Sequence, residues 1–175
     1  MQKSGIKREE IFVTIKIWSE HYGYENAKQS VEDSLNKLKA DYLDLVLLHQ
    51  PFSDYYGAYH ALIDLQKEGK ARAIGVSDFY PDRLSDIAAF GGKVPQVNQI
   101  EINPYCIQKS AVANMKKENV LPEAWGPFRE GRDDIFAGPC MESPKRIKEA
   151  SHRTSCDDCS REAALPTASP EKSRG

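Results

Sequence analysis

The sequence predicts an α/β fold built on a parallel sheet, and three observations carry that expectation. Short apolar runs alternate with longer amphipathic stretches through the first 128 residues. The runs close on polar or aromatic residues able to do chemistry, which recur at intervals of 22–33 residues. No GxGxxG turn follows any run, which argues against a Rossmann-type dinucleotide site. This cadence suits either a (β/α) barrel or an open doubly wound sheet. Chemistry-bearing residues at the C-terminal ends of the strands favour the barrel, because barrel enzymes gather their sites there.

Each element follows from the local pattern. IFVTIKIW (residues 11–18) is β-branched, aromatic and short enough for a buried strand, with Lys16 near its end. Residues 24–39 place Ala27, Val31, Leu35 and Leu38 on one helical face. LDLVLLHQP (residues 43–51) is the second strand and closes on His49. Residues 58–68 form a helix carrying Ala58, Leu62 and Leu65, with Gly69 as its stop. ARAIGVSDF (residues 71–79) is the third strand and ends at Ser77. Pro81 then opens a helix, DRLSDIAAF, that Gly91 and Gly92 close. QVNQIEINPY is the fourth strand, residues 108–119 a helix with Ala111, Val112 and Met115 inward, and NVLPEAWGPF the fifth strand, carrying Trp125.

Composition bounds the function classes. A chain of 175 residues, 40% hydrophobic and 29% charged, has room for one ordinary soluble domain. A net charge of −2 gives no electrostatic reason to expect nucleic acid or an anionic membrane as partner. No apolar segment approaches the roughly 20 residues that a membrane span needs. The polar start MQKSGIKREE lacks the apolar core of a secretory signal, and four cysteines, three of them crowded near the end, do not resemble a disulfide framework. A reducing, cytoplasmic setting is expected.

Composition shifts near residue 138. Residues 139–175 hold four prolines, 13 charges, no aromatic residue and only Met141, Ile147 and Leu165 as larger apolar side chains. So little apolar surface cannot offset the entropy of ordering, so this tail is expected to be disordered. The globular part is expected over residues 1–138. Within the tail, His152, Cys156 and Cys159 form H-x3-C-x2-C, and Cys140 could add a fourth ligand. These are zinc-ligand types at comparable spacing, but the apolar residues that normally pack beside a zinc site are missing, so no metal is expected.

In VTIKIW, LDLVLLHQP, IGVSDF, VNQIEINPY and EAWGPF, from about Gly5 to Phe136, the chain resembles the aldo-keto reductase family of (β/α)8-barrel enzymes. The corresponding family segments read VTTKLW, DLYLIHWP, IGVSNF, NQIEYHP and SWGPL or AYSPL, in the same order. The resemblance implies an incomplete (β/α)8 TIM barrel, about strands 3–7 of eight. It further implies reduction of aldehydes and ketones with NADP(H), with a small carbonyl compound as substrate and no metal.

A tetrad of Asp, Tyr, Lys and His carries that chemistry in the family. The tyrosine phenol protonates the carbonyl oxygen as hydride arrives, and the lysine cation lowers the phenol's pKa. Position by position, Lys16 is the tetrad lysine and His49 the tetrad histidine, which orients the carbonyl. Ser77, Asp78 and Gln99 match residues that hold the nicotinamide carboxamide, and Trp125 matches the ring that stacks on the nicotinamide. Trp18 and Gln50 fall where substrate contacts lie. Each position also has an ordinary structural use. Lys16 could snorkel to solvent, His49 could be a hydrogen-bonded core histidine, Trp18 and Trp125 could be packing, and Asn98 and Gln99 could cap strand ends.

The departures set a further expectation. The tetrad aspartate and tyrosine belong to a DTAxxYxNE-type segment that the 175 residues do not contain, and Tyr22 and Tyr24 follow the wrong strand to replace it. Asp78 stands where the family has asparagine, and Gln50 where tryptophan is commoner. After RDDIF the family's IPKS segment, which binds the cofactor's 2′-phosphate, has no counterpart; SPKRIK is only superficially similar. A shifted reading frame or a truncated gene would explain the abrupt change. The 175-residue chain is therefore expected to be catalytically impaired, the alternative being a non-catalytic remnant or a partner-binding fragment.

Overall fold

The structure, a computed structural model, describes residues 5–103 and 105–128. Five strands, β1 (Thr14–Ile17), β2 (Leu43–Leu48), β3 (Ala71–Ser77), β4 (Val97–Glu101) and β5 (Leu121–Trp125), form one sheet in sequence order. Every neighbouring pair is parallel. Between them run α1 (Tyr24–Leu38), α2 (Tyr55–Lys67), α3 (Pro81–Phe90) and α4 (Lys109–Lys117). Among the described residues these are successive β/α units with the strand order expected of a (β/α)8 barrel. The tail from residue 139, with Cys140, His152, Cys156 and Cys159, lies outside the described residues.

The helices form for the reasons their sequences state. In α1 the stripe Ala27, Val31 and Leu35 is buried, and the helix ends on Lys39 in the left-handed region. The second helix begins at Tyr55, three residues before the expected position. Asp54 is its cap, with Oδ1 accepting a hydrogen bond from the Gly57 amide at 2.9 Å. Gly69, at φ +78°, turns the chain back toward β3 where a side chain would strain it. Pro81 occupies the first turn of α3. Two short 3-10 turns, Arg8–Glu10 and Ser19–His21, flank β1 and have no counterpart in the apolar pattern.

The sheet is apolar on both faces, and the two faces pack separately. Ile17, Val46, Leu48, Ile74, Val76 and Ile100 join the helices in one large core. Leu45, Leu47 and Val97, with Ala73 and Leu121 beside them, form a second, smaller cluster. Strand β2 is buried at all of its positions, which is why LDLVLL shows no alternation. Across β1 to β5 the register aligns Lys16, Leu47, Gly75, Val97 and Leu121. Two residues further toward the C-terminal ends, Ser77, Gln99 and Glu123 align in turn. Side chains alternate along a strand, so this second row rises on the face of the smaller cluster.

A charged cluster secures the opposite end of the sheet. Asp44, 3% exposed, takes hydrogen bonds from Arg8 Nη2 at 2.7 Å, the Val13 amide at 2.9 Å and Arg72 Nη1 at 3.2 Å. Burial alone would raise its carboxyl pKa. The Val13 amide and the two guanidinium groups outweigh that, and it lies below the usual carboxylate value. The Arg8 guanidinium also stacks 4.0 Å from the Tyr42 ring centre and donates to the Tyr42 carbonyl at 2.9 Å. Among the described residues no helix is long and apolar enough to cross a membrane, and no group of three or more His, Cys, Asp or Glu could hold a metal ion.

Candidate active site

The C-terminal ends of the strands bring together most of the polar residues singled out in the sequence. Lys16 projects from β1 toward β3, where its Nζ lies 3.5 Å from Ser77 Oγ. Ser77 closes β3 and is 1% exposed. His49 follows the last residue of β2, and its amide donates to the Ile17 carbonyl at 3.0 Å, fixing it beside β1. Its Nδ1 is buried and has no hydrogen-bond partner among the described residues. Burial, and after it the nearby Lys16 cation, lowers the His49 pKa below its ordinary value, with the Asp78 carboxylate opposing. At neutral pH the imidazole is therefore uncharged.

Aromatic rings border this polar row. The Trp18 indole lies against His49, with ring centres 4.2 Å apart and planes tilted by 30°, and Trp18 remains 58% exposed. Trp125, half-buried at the end of β5, donates from Nε1 to Asp78 Oδ1 at 2.8 Å. Asp78 sits in the left-handed region at φ +56°, and its amide donates to the Gln99 carbonyl at 2.9 Å. Gln99 Nε2 donates to Glu123 Oε1 at 2.6 Å. The row from Lys16 to Trp125 is thus linked by short contacts across four strands.

Other candidates have structural tasks. Asn98 is fully buried and clips the Phe79 backbone, donating to its carbonyl at 2.6 Å and accepting from its amide at 3.4 Å. The backbone of Gln50 is held on both sides by Tyr22, whose hydroxyl donates to the Gln50 carbonyl at 2.8 Å and accepts from its amide at 3.1 Å. Burial pushes the Tyr22 phenol up to about 12. A phenol so engaged and so weakly acidic is not available as a proton donor beside Lys16.

Glu123 was not singled out in the sequence. The signal was present, since Glu123 and Trp125 share one face of a strand by the period-two rule. Its partner Gln99 could not be read without the β4–β5 register, in which the two residues are directly opposite. The arrangement offers a cation, a neutral imidazole, a hydroxyl, two carboxylates and two tryptophan rings. Such a set can hold a flat, polar aromatic group against Trp125 and direct a carbonyl oxygen toward Lys16 and His49.

Comparison with known proteins agrees with this architecture. The family model described as "Aldo/keto reductase family" matches residues 1–159. Glyoxal reductase of Bacillus subtilis (strain 168) is 41% identical over 133 residues, which are 75% of this chain and 48% of that protein. A methylglyoxal reductase of Escherichia coli (strain K12) is 33% identical over 139 residues, 78% of this chain and 50% of that one. Among solved structures, an aldo/keto reductase from Brucella melitensis aligns with a TM-score of 0.73 at 33% identity, covering 86% of this chain and 56% of that chain. A Bombyx mori aldo-keto reductase in complex with NADP aligns with a TM-score of 0.74 at 29% identity, covering 86% of this chain and 53% of the other. The chain spans about half the length of the curated relatives it matches.

Proposed function

The chain belongs to the aldo/keto reductase family, and on that premise we propose that its strand ends form the nicotinamide and carbonyl side of an NADP(H)-dependent reductase site. One observation carries the proposal: Lys16, Ser77 and His49, from three different strand ends, meet in one place with a tryptophan ring on either side. The residues suit a nicotinamide. Ser77 and Gln99 offer a hydroxyl and an amide for a carboxamide, and Trp125 offers a ring face beside them. The cofactor supplies hydride when bound.

The chain's own residues do the rest. Lys16 holds a positive charge where negative charge develops on a carbonyl oxygen, and it favours the ionised form of any phenol placed beside it. His49, neutral at pH 7, donates or accepts a hydrogen bond without competing for the proton, and so orients the carbonyl. Trp18 and Gln50 border the position where the substrate would lie. The substrate class we propose is small reactive aldehydes, on the support of two relatives named for glyoxal and methylglyoxal reduction.

For the 175-residue polypeptide assayed by itself we propose impaired catalysis, because Tyr22 is engaged by Gln50 and is not free to act beside Lys16. The resemblance assigns proton donation to a tyrosine in a DTAxxYxNE-type segment that these residues do not include, and Tyr22 is engaged elsewhere. The test is NADPH oxidation with methylglyoxal or a nitrobenzaldehyde. No turnover is expected from this polypeptide; turnover abolished by Lys16→Met or His49→Ala would show that the tetrad is complete without that segment.

A further inference from the structure

We propose that Asp78 makes the nicotinamide site discriminate between the two redox states of the cofactor, favouring the oxidised ring. The inference rests on the reading of Trp125 and Ser77 as nicotinamide contacts, and goes beyond it by assigning a charge effect to one residue. The sequence places a carboxylate where the family's pattern has an amide. An amide and a carboxylate can both accept the Trp125 N–H, so the hydrogen bond at 2.8 Å does not require the charge. What the charge adds is a fixed negative group at the edge of the Trp125 ring.

Two contacts hold that group in place. The Asp78 backbone is pinned at φ +56° by its amide bond to the Gln99 carbonyl. Its Oδ1 is pinned by Trp125. The same carboxylate works to raise the His49 pKa, against the larger effects of burial and of Lys16. Any ring lying on the Trp125 indole therefore has a carboxylate near its edge. The oxidised nicotinamide ring is a cation and the reduced ring is neutral. At a separation of roughly 5 Å, a unit charge in a water-facing site changes the affinity of a cation by a factor of about three to ten and leaves a neutral ring nearly unaffected. Lys16 and Glu123 also bear on the site, but they are the same whichever residue stands at position 78.

The experiment is a binding measurement on the full 175-residue chain and its Asp78→Asn and Asp78→Ala variants. NADP+ and NADPH are titrated separately, and affinity is read from saturation transfer to the nicotinamide protons. Asparagine tolerates the left-handed backbone and keeps an acceptor for Trp125, so Asp78→Asn isolates the charge. The Trp125 indole N–H resonance, assigned with a Trp18→Phe control, checks that this hydrogen bond survives in Asp78→Asn and is lost in Asp78→Ala. The expected result is a roughly three- to tenfold weaker NADP+ affinity in Asp78→Asn with NADPH affinity unchanged. Equal loss for both forms, or an unchanged ratio, would overturn the inference and leave the nicotinamide assignment standing. Absence of nicotinamide contact for either form in the parent chain would overturn the assignment itself, and the inference with it.

Discussion

Lys16 Nζ and Ser77 Oγ stand 3.5 Å apart although β2 runs between their strands. The residue aligned with Lys16 on β3 is Gly75, so the ammonium reaches a residue two positions nearer the C-terminal end of that strand. The cation thereby comes to rest close to His49 as well and lowers its pKa. Replacing Lys16 with methionine should raise the His49 pKa, yet keep it below 6.5, because burial is the larger cause. Titration of the His49 ring protons by NMR checks this; an unchanged pKa would place Lys16 away from the imidazole.

The stacking of Trp18 on His49 makes the same ionisation visible optically. An imidazolium quenches a contacting indole more than a neutral imidazole does. In a Trp125→Phe background, Trp18 emission should fall on acidification with a midpoint below pH 6.5, and His49→Phe should abolish the transition. The same shift has a stability consequence. Between the folded and unfolded pKa values the unfolded chain binds more protons. Stability from the neutral imidazole is therefore full above pH 6.5 and is lost as pH falls through 6.5 and the lower folded value. Denaturant midpoints across that range should fall less steeply in His49→Phe.

Asp44 anchors the N-terminal ends of the strands and takes no part in the proposed chemistry. Its replacement by alanine leaves the Arg8 guanidinium and the Val13 amide without their shared acceptor. The expected loss is about 2–4 kcal/mol of unfolding free energy, less than for a fully buried pair because Arg8 is partly exposed. Since the Asp44 pKa is depressed, its contribution is present above pH 3.8 and disappears as pH falls through the lower folded value. A variant as stable as the parent in urea would contradict the assignment.

Gly75 is required by close approach of the chain. A Cβ there would lie 2.3 Å from the Val97 carbonyl oxygen and 2.8 Å from a Leu47 methyl. The backbone atom cannot move aside, so Gly75→Ala should cost about 1–3 kcal/mol and disturb the β3–β4 register that aligns Ser77 with Gln99. Thermal unfolding measures the cost, and the Ser77 and Gln99 amide shifts report the register.

Much of this fold is legible in the sequence because its elements are short and strongly patterned. The stripe in α1, the proline opening α3 and the apolar run of β2 each announce one element by one physical rule. The start of α2 is not legible, because the cap Asp54 reads as a loop residue until its partner amide is known. Lys16, His49, Ser77 and Trp125 stand out because polar or aromatic groups at the ends of apolar strands need a reason. The Asp78–Trp125, Gln99–Glu123 and Arg8–Asp44 contacts do not stand out. They join residues 47, 24 and 36 positions apart, and only the folded chain brings them together.

The most direct test of the central claim is a map of NADPH-induced amide and indole shifts on the isotopically labelled 175-residue chain. Perturbations are expected at the Trp125 indole, Ser77, Asp78 and Gln99, with the Arg8, Asp44 and Arg72 end of the sheet unmoved. Perturbations confined to that opposite end, or none at the β3 to β5 strand ends, would contradict it.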